Sequence, residues 1–216
     1  MSTVIDLATR RAPAPTAENG KVSPPRRRKN ADSRPREFLT PQEVARLRKA
    51  ARKSGRYGQR DETLVMLMAA HGLRVSEAVA LRWDAVELDT GRLHVSRRKN
   101  GTPSTHTLCG PEIRALRQLR RDWPDSPFVF ASERNGPMTD SNVRKLIARL
   151  GEVAKFPYRI HPHQLRHAAG YRLVNEKNAN IRAVQLWLGH KNIMHTVRYT
   201  ELSEQAFKDF APAFKD

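Results

Sequence analysis

Apolar positions along this chain recur mostly at helical intervals, and one stretch near the middle breaks into short extended runs. The segment LTPQEVARLRKAARKSG opens the helical part: Thr40 suits an N-cap, Pro41 the first helical position, and Glu43 completes a capping box. A second helix is predicted through ETLVMLMAAHG, ending at Gly72, and a short third one across VSEAVALRW. The pattern then changes to β segments at Asp84–Leu88, Arg92–Ser96 and Thr105–Leu108. Asp89-Thr90-Gly91 and Lys99-Asn100-Gly101 separate them as turns, which predicts a small antiparallel sheet. From Pro111 onward the period is helical again, over Glu112–Asp122, Thr139–Lys155, His163–Lys177, Ile181–Leu188 and Met194–Thr200, with a last short helix over Ser203–Phe210. No internal repeat appears. The fold class that follows is mainly α with a small antiparallel β-sheet, an α+β domain.

Residues 1–37 lack that pattern. They hold Pro13, Pro15, Pro24, Pro25 and Pro35 and the basic run Arg26, Arg27, Arg28 and Lys29, and read as a disordered basic tail ahead of a single domain over 38–216. The tail is either a solvated linker or a segment that slides along phosphates.

Composition then narrows the partner. The chain has 216 residues, with 38% hydrophobic and 6% aromatic, so the core should be aliphatic. Net charge is +18, of which +5 lies in residues 1–37, leaving +13 on the folded part. That excess points to a polyanion, with nucleic acid ahead of an anionic membrane. No apolar run approaches the roughly 18–20 residues of a spanning helix, and no charged-then-apolar leader opens the chain. Cys109 is the single cysteine, which excludes an intramolecular disulfide, fits a reducing cytoplasm, and reads as a small buried residue.

Candidate chemistry concentrates in the last third, in HPHQLRH and LGHKNIMHTVRYT. His163 and Arg166, three apart on a helix, share a face and suit one phosphate, the arginine by forked donation and the histidine by proton exchange. Alone, the pair reads more simply as a helix-start histidine and a surface ion-pair arginine. Gly189 ends one helix and sets His190 at a bend, and Tyr199 follows nine residues later. Its phenol is either a packed amphipathic residue or a nucleophile returned toward His190. His161, His163, His167, His190 and His195 invite a metal reading, but the spacing is not H-E-x-x-H and carboxylates are scarce nearby. Upstream, Arg74 in HGLRVSE has Glu77 three residues on, as an ion pair or as an orienting carboxylate. Lys99 falls in a strand-joining turn suited to a DNA groove and to protonating a leaving group. Arg97 and Arg98 beside it are candidate phosphate contacts.

HGLRVSEAVALRW, RRKNG, HPHQLRH and LGHKNIMHTVRYT, in this order, resemble the tyrosine recombinase (phage integrase) family from about Phe38 to Thr200. The resemblance implies that Arg74 and Arg166 clamp a scissile phosphate and that Lys99 protonates the leaving 5′ oxygen. It implies that His163 handles the nucleophile's proton, that His190 bonds a non-bridging oxygen, and that Tyr199 is the nucleophile. With those two partners given to the site, His161, His167 and His195 read as structural or DNA-contacting. The resemblance further implies site-specific recombination of duplex DNA through a 3′-phosphotyrosine intermediate. No metal, cofactor or ATP is needed, and the protein acts as a homotetramer on paired sites, with accessory DNA-bending proteins as possible partners. The setting would be the cytoplasm, at the bacterial nucleoid. The short tail in place of a helical core-binding domain resembles the single-domain invertases of fimbrial promoter switches. Two rivals remain: a catalytically silent DNA-binding regulator on the same fold, and a metal-dependent nuclease, for which no carboxylate cluster is evident.

Overall fold

Thr40 and Glu43 cap the start of the first helix as the sequence predicts. In the computed structural model, which describes residues 37–97 and 102–201 and a strand pair further upstream, α1 spans Pro41–Lys53. The Glu43 amide donates to Thr40 Oγ1 at 3.3 Å, and the Thr40 amide donates to Glu43 Oε2 at 2.8 Å. Such a reciprocal pair satisfies two donors that a helix start otherwise leaves open. The inner face of α1, with Leu47, Ala50 and Ala51, packs on α2 (Gly58–His71).

Helix α2 begins four residues before the predicted start at Glu62 and is buried on nearly all sides, including Thr63, Leu64, Val65, Leu67, Met68 and His71. A helix surrounded by neighbours carries no single apolar stripe, which is why the periodicity does not mark its start. Each fully buried Leu or Met there stabilises the fold by about 1.5–3 kcal/mol through apolar surface removed from water. Gly72 caps α2 at φ +61°, and α3 follows over Val75–Val79. The predicted helix across VSEAVALRW is thus cut short. Its last part becomes a 3-10 turn at Trp83–Ala85 that leads into the sheet.

The sheet is three-stranded and antiparallel in the order β3 (Val86–Glu87), β4 (Arg92–Val95), β5 (Ser104–Thr107). Leu93 pairs with Val86 on one side and His106 on the other, and Val95 pairs with Ser104. Helix α4 (Gly110–Asp122) follows, then α5 (Asp140–Val153), which is N-capped by Thr139. Cys109 is exposed at the start of α4, not buried as its residue type suggests.

The predicted helix over His163–Lys177 is two elements. Helix α6 (Pro162–Tyr171) runs into a π turn at Arg172–Glu176. Asn175 in that turn donates through Nδ2 to the Tyr171 carbonyl at 3.1 Å and to the Tyr199 carbonyl at 3.0 Å. The irregular turn therefore ties down the backbone of the candidate nucleophile, in keeping with the habit of π bulges to sit at functional sites. Helices α7 (Ile181–Leu188) and α8 (Met194–Glu201) complete the described domain, and α6 packs on both α2 and α8.

The chain divides into two units, Met1–Arg36 and Glu37–Asp216. Of the first, only β1 (Ala17–Glu18) and β2 (Lys21–Val22) are described, paired antiparallel. Hydrophobic periodicity does not predict that pair, although Asn19-Gly20 between the strands is a favoured two-residue hairpin composition. The expectations for Arg26, Arg27, Arg28, Lys29, Arg98, Lys99 and the helix over Ser203–Phe210 lie outside the described residues.

Candidate active site

Four helix ends converge on one patch: the C-terminus of α2, the N-termini of α3 and α6, and the C-terminus of α7, with α8 alongside. Arg74 is the N-cap of α3. Its Nη1 donates to Glu77 Oε1 at 2.7 Å and its amide to Glu77 Oε2 at 2.9 Å. The Glu77 side chain is 1% exposed while that of Arg74 is 29% exposed, so the guanidinium is held from behind and presented to solvent.

Arg97 completes this arrangement in a way the sequence does not suggest. Expected among the phosphate contacts, its side chain is fully buried, with Nη1 donating to Glu77 Oε2 at 2.8 Å and Nη2 to the Trp187 carbonyl. With its side chain wholly shielded and Nη1 on Glu77, it is a support for Glu77 and not a surface contact. Burial lowers its pKa, and the Glu77 carboxylate works against that shift. Gly189, the α7 C-cap at φ +64°, leaves room for it: a Cβ there would lie 2.7 Å from Arg97 Nε.

Arg166 is 3% exposed on α6. Its Nη1 donates to the Gly72 carbonyl and its Nη2 to the Leu188 carbonyl at 2.6 Å. It therefore bonds the C-terminal carbonyls of α2 and α7, where helix dipoles favour a cation. Burial lowers its pKa to about 10, with Arg74 and Arg97 pushing the same way and Glu77 opposing them, so it stays charged near neutrality. His163, three residues earlier, is exposed at the mouth. Crowding by its surroundings and then the charges of Arg166 and Arg74 lower its pKa.

Tyr199 on α8 is 2% exposed. It lies against Gly170 of α6, where an added Cβ would come within 2.4 Å of the ring. A glycine is required there by the close approach of the phenol. His190 stacks alongside at 6.4 Å between ring centroids, and its Nδ1 is 2.9 Å from Thr196 Oγ1. The hydroxyl of Tyr199 lies 3.0 Å from His167 Nδ1. His167 thus has a closer link to the phenol than its sequence context suggests. No sequence signal marks it, because the contact is made only when α8 packs on α6. Burial raises the Tyr199 pKa, and Arg166 and Arg198 oppose that shift.

Of the sequence candidates, Arg74, Glu77, His163, Arg166, His190 and Tyr199 therefore meet in one patch. No group of three or more His, Cys, Asp or Glu stands in metal-binding proximity among the described residues. No helix among them is long and apolar enough to cross a membrane.

The buried histidines make stability depend on pH. Burial is the leading cause that lowers His106 to about 3, His167 to about 4 and His190 to about 3. An unfolded histidine takes a proton near 6.5, so as pH falls the unfolded chain binds protons first. Stability is full above about 6.5 and is lost as pH falls toward about 4. The urea midpoint is expected to drop steadily across that window, and a flat profile would contradict the assigned burial.

Residues 37–206 match the family model described as the phage integrase family. The type 1 fimbriae regulatory protein FimB of Escherichia coli (strain K12) is 37% identical over 175 residues, covering 79% of this chain and 86% of that protein. The tyrosine recombinase XerC of Bacillus licheniformis is 32% identical over 186 residues, covering 82% of this chain but 60% of its own length. Among solved structures, XerA recombinase superposes with a TM-score of 0.70 at 24% identity, over 83% of this chain and 65% of that one. The XerH site-specific recombinase bound to palindromic difH substrate, in a post-cleavage complex, gives 0.71 at 19% identity over 84% and 53%. At these identities the two structures show a shared fold.

Proposed function

The chain belongs to the phage integrase family of tyrosine-type site-specific recombinases, and from that premise we propose that it cuts and rejoins duplex DNA through Tyr199. The Tyr199 oxygen attacks the scissile phosphorus, the bond from phosphorus to the 5′ oxygen breaks, and the protein is left joined to the 3′ phosphate. The 5′ oxygen takes a proton from Lys99. A 5′ hydroxyl from the partner strand then attacks the phosphotyrosine, releases Tyr199 and reseals the backbone, so the bond energy is conserved without ATP.

Each residue has a physical task. Charge builds on the non-bridging oxygens as phosphorus is attacked, and fixed donors aimed at that charge commonly contribute more to catalysis than any other single effect. Arg74, backed by Glu77, and Arg166 supply them, with His190 as a further donor. A phenol with a pKa near 10 must lose its proton to attack. His163 at the mouth and His167, 3.0 Å from the hydroxyl, are the groups that take it. The observation that carries the reading is the convergence of Arg74, Arg166, His163, His190 and Tyr199 from segments up to 125 residues apart in sequence. The protein works as a homotetramer on two paired sites, with accessory DNA-bending proteins helping to pair them. The resemblance to the single-domain invertases of fimbrial promoter switches favours inversion of a DNA segment as the outcome.

The test is covalent trapping on a nicked suicide duplex built from DNA that the protein captures in cells. A protein–DNA adduct resistant to denaturant is expected, at an undiminished rate in EDTA. Loss of the adduct in EDTA would return the metal-dependent reading, and binding without any adduct would favour a silent regulator.

A further inference from the structure

Behind the arginines lies a buried polar chain that no part of the cleavage chemistry accounts for. His71 at the end of α2 and His106 in β5 are 1% and 0% exposed, and their Nδ1 atoms lie 3.1 Å apart. His71 Nε2 lies 3.3 Å from Glu112 Oε1 on α4, an ion-pair contact without hydrogen-bond geometry. His106 Nε2 is 2.9 Å from Ser104 Oγ, and that hydroxyl lies 3.4 Å from Arg97 Nη2. The Trp187 ring stacks on His106 at 3.8 Å between centroids, and its carbonyl accepts from Arg97.

The direction of every bond in this chain follows from the carboxylate at its end. Burial pushes Glu112 up, but His71 and the Cys109 amide at 2.8 Å outweigh it and hold the group ionised. The ring nitrogen facing an ionised carboxylate carries a proton, so His71 holds one on Nε2 and turns Nδ1 to His106 as the acceptor. His106 then donates from Nδ1. Its pKa of about 3, set first by burial, keeps it neutral, which leaves Nε2 as an acceptor. The Ser104 hydroxyl must donate to that nitrogen, and its lone pairs receive Arg97.

We propose that Glu112, His71, His106 and Ser104 are positioning residues of the recombination site, a one-directional chain of polar contacts that sets the Arg97 guanidinium and through it Glu77 and Arg74. This rests on the functional reading above. The two arms of the site depend on it together. Arg97 fixes the Glu77 carboxylate that orients Arg74, and Trp187, held against His106, precedes the Leu188 carbonyl that binds Arg166. A buried polar network held between packed elements favours one geometry, and cleavage demands such placement to a fraction of an ångström. Ser104 also opens β5.

Two measurements on the full chain test this. Long-range proton–nitrogen NMR of the histidine rings reads the tautomers without any substrate. His71 is expected protonated on Nε2 and His106 on Nδ1, and the opposite form of His106 would overturn the proposal. Single-turnover cleavage of the trapped-site duplex reads the consequence. Ser104→Ala is expected to slow cleavage on the order of tenfold while DNA affinity stays within about twofold, and Ser104→Thr, which keeps the hydroxyl, to restore the rate. A Ser104→Ala rate within about twofold of the parent, or a loss that Ser104→Thr leaves in place, overturns the positioning role. If the parent chain itself forms no adduct, the functional reading fails, and the positioning role with it; tautomers as assigned beside normal cleavage in Ser104→Ala sink the positioning role alone.

Discussion

Tyr199→Phe is expected to eliminate the covalent protein–DNA adduct while DNA affinity remains within about twofold of the parent. The phenol oxygen is the proposed nucleophile, and phenylalanine removes that one atom. The ring keeps its seat against Gly170 and beside His190, because both contacts are made by ring carbons. What the variant loses in the folded protein is one hydrogen bond, to His167 at 3.0 Å. A net loss of about 0.5–1.5 kcal/mol of stability follows, too little to unfold the domain. Gel retardation and trapping on the same nicked duplex separate binding from cleavage. Adduct formation by the variant would remove Tyr199 from the reaction.

Arg166→Ala is expected to have a double effect. Cleavage should slow by about two orders of magnitude or more, the scale on which a lost oxyanion donor acts. Stability should fall as well, because the guanidinium bonds the buried carbonyls of Gly72 and Leu188. An unsatisfied buried carbonyl costs about 1–3 kcal/mol. Arg166→Lys separates the two effects. It keeps a cation at the two helix C-termini but loses the fork that reaches both carbonyls at once. Its urea midpoint should lie between those of the parent and the alanine variant, with cleavage still strongly reduced. A near-normal cleavage rate in either variant would take Arg166 out of the phosphate clamp.

Local chemistry is legible in the sequence wherever neighbours in the chain are neighbours in space. Thr40 and Glu43 announce the start of α1, and Gly72 and Gly189 mark the ends of α2 and α7. The pair Arg74 and Glu77 can be read from its spacing, since three residues on a helix start bring side chains together. Contacts across the fold are not legible. Arg97 looks like one more basic residue in a basic turn, and only the packing of α7 over the sheet shows that its charge is buried on Glu77. His71 and His106 are 35 residues apart and meet through the packing of α2 against β5. His167 gives no sign of its phenol partner, because the approach of α8 to α6 depends on Gly170 having no side chain. The π turn at Arg172–Glu176 is hidden because its composition continues a helical pattern.

The central claim is that one oxygen, on Tyr199, becomes joined to DNA. Digesting the trapped adduct with protease and nuclease and sequencing the modified peptide by mass spectrometry tests it directly. The predicted result is a 3′-linked nucleotide on Tyr199, in the peptide that follows Arg198; a nucleotide on any other residue would contradict the account.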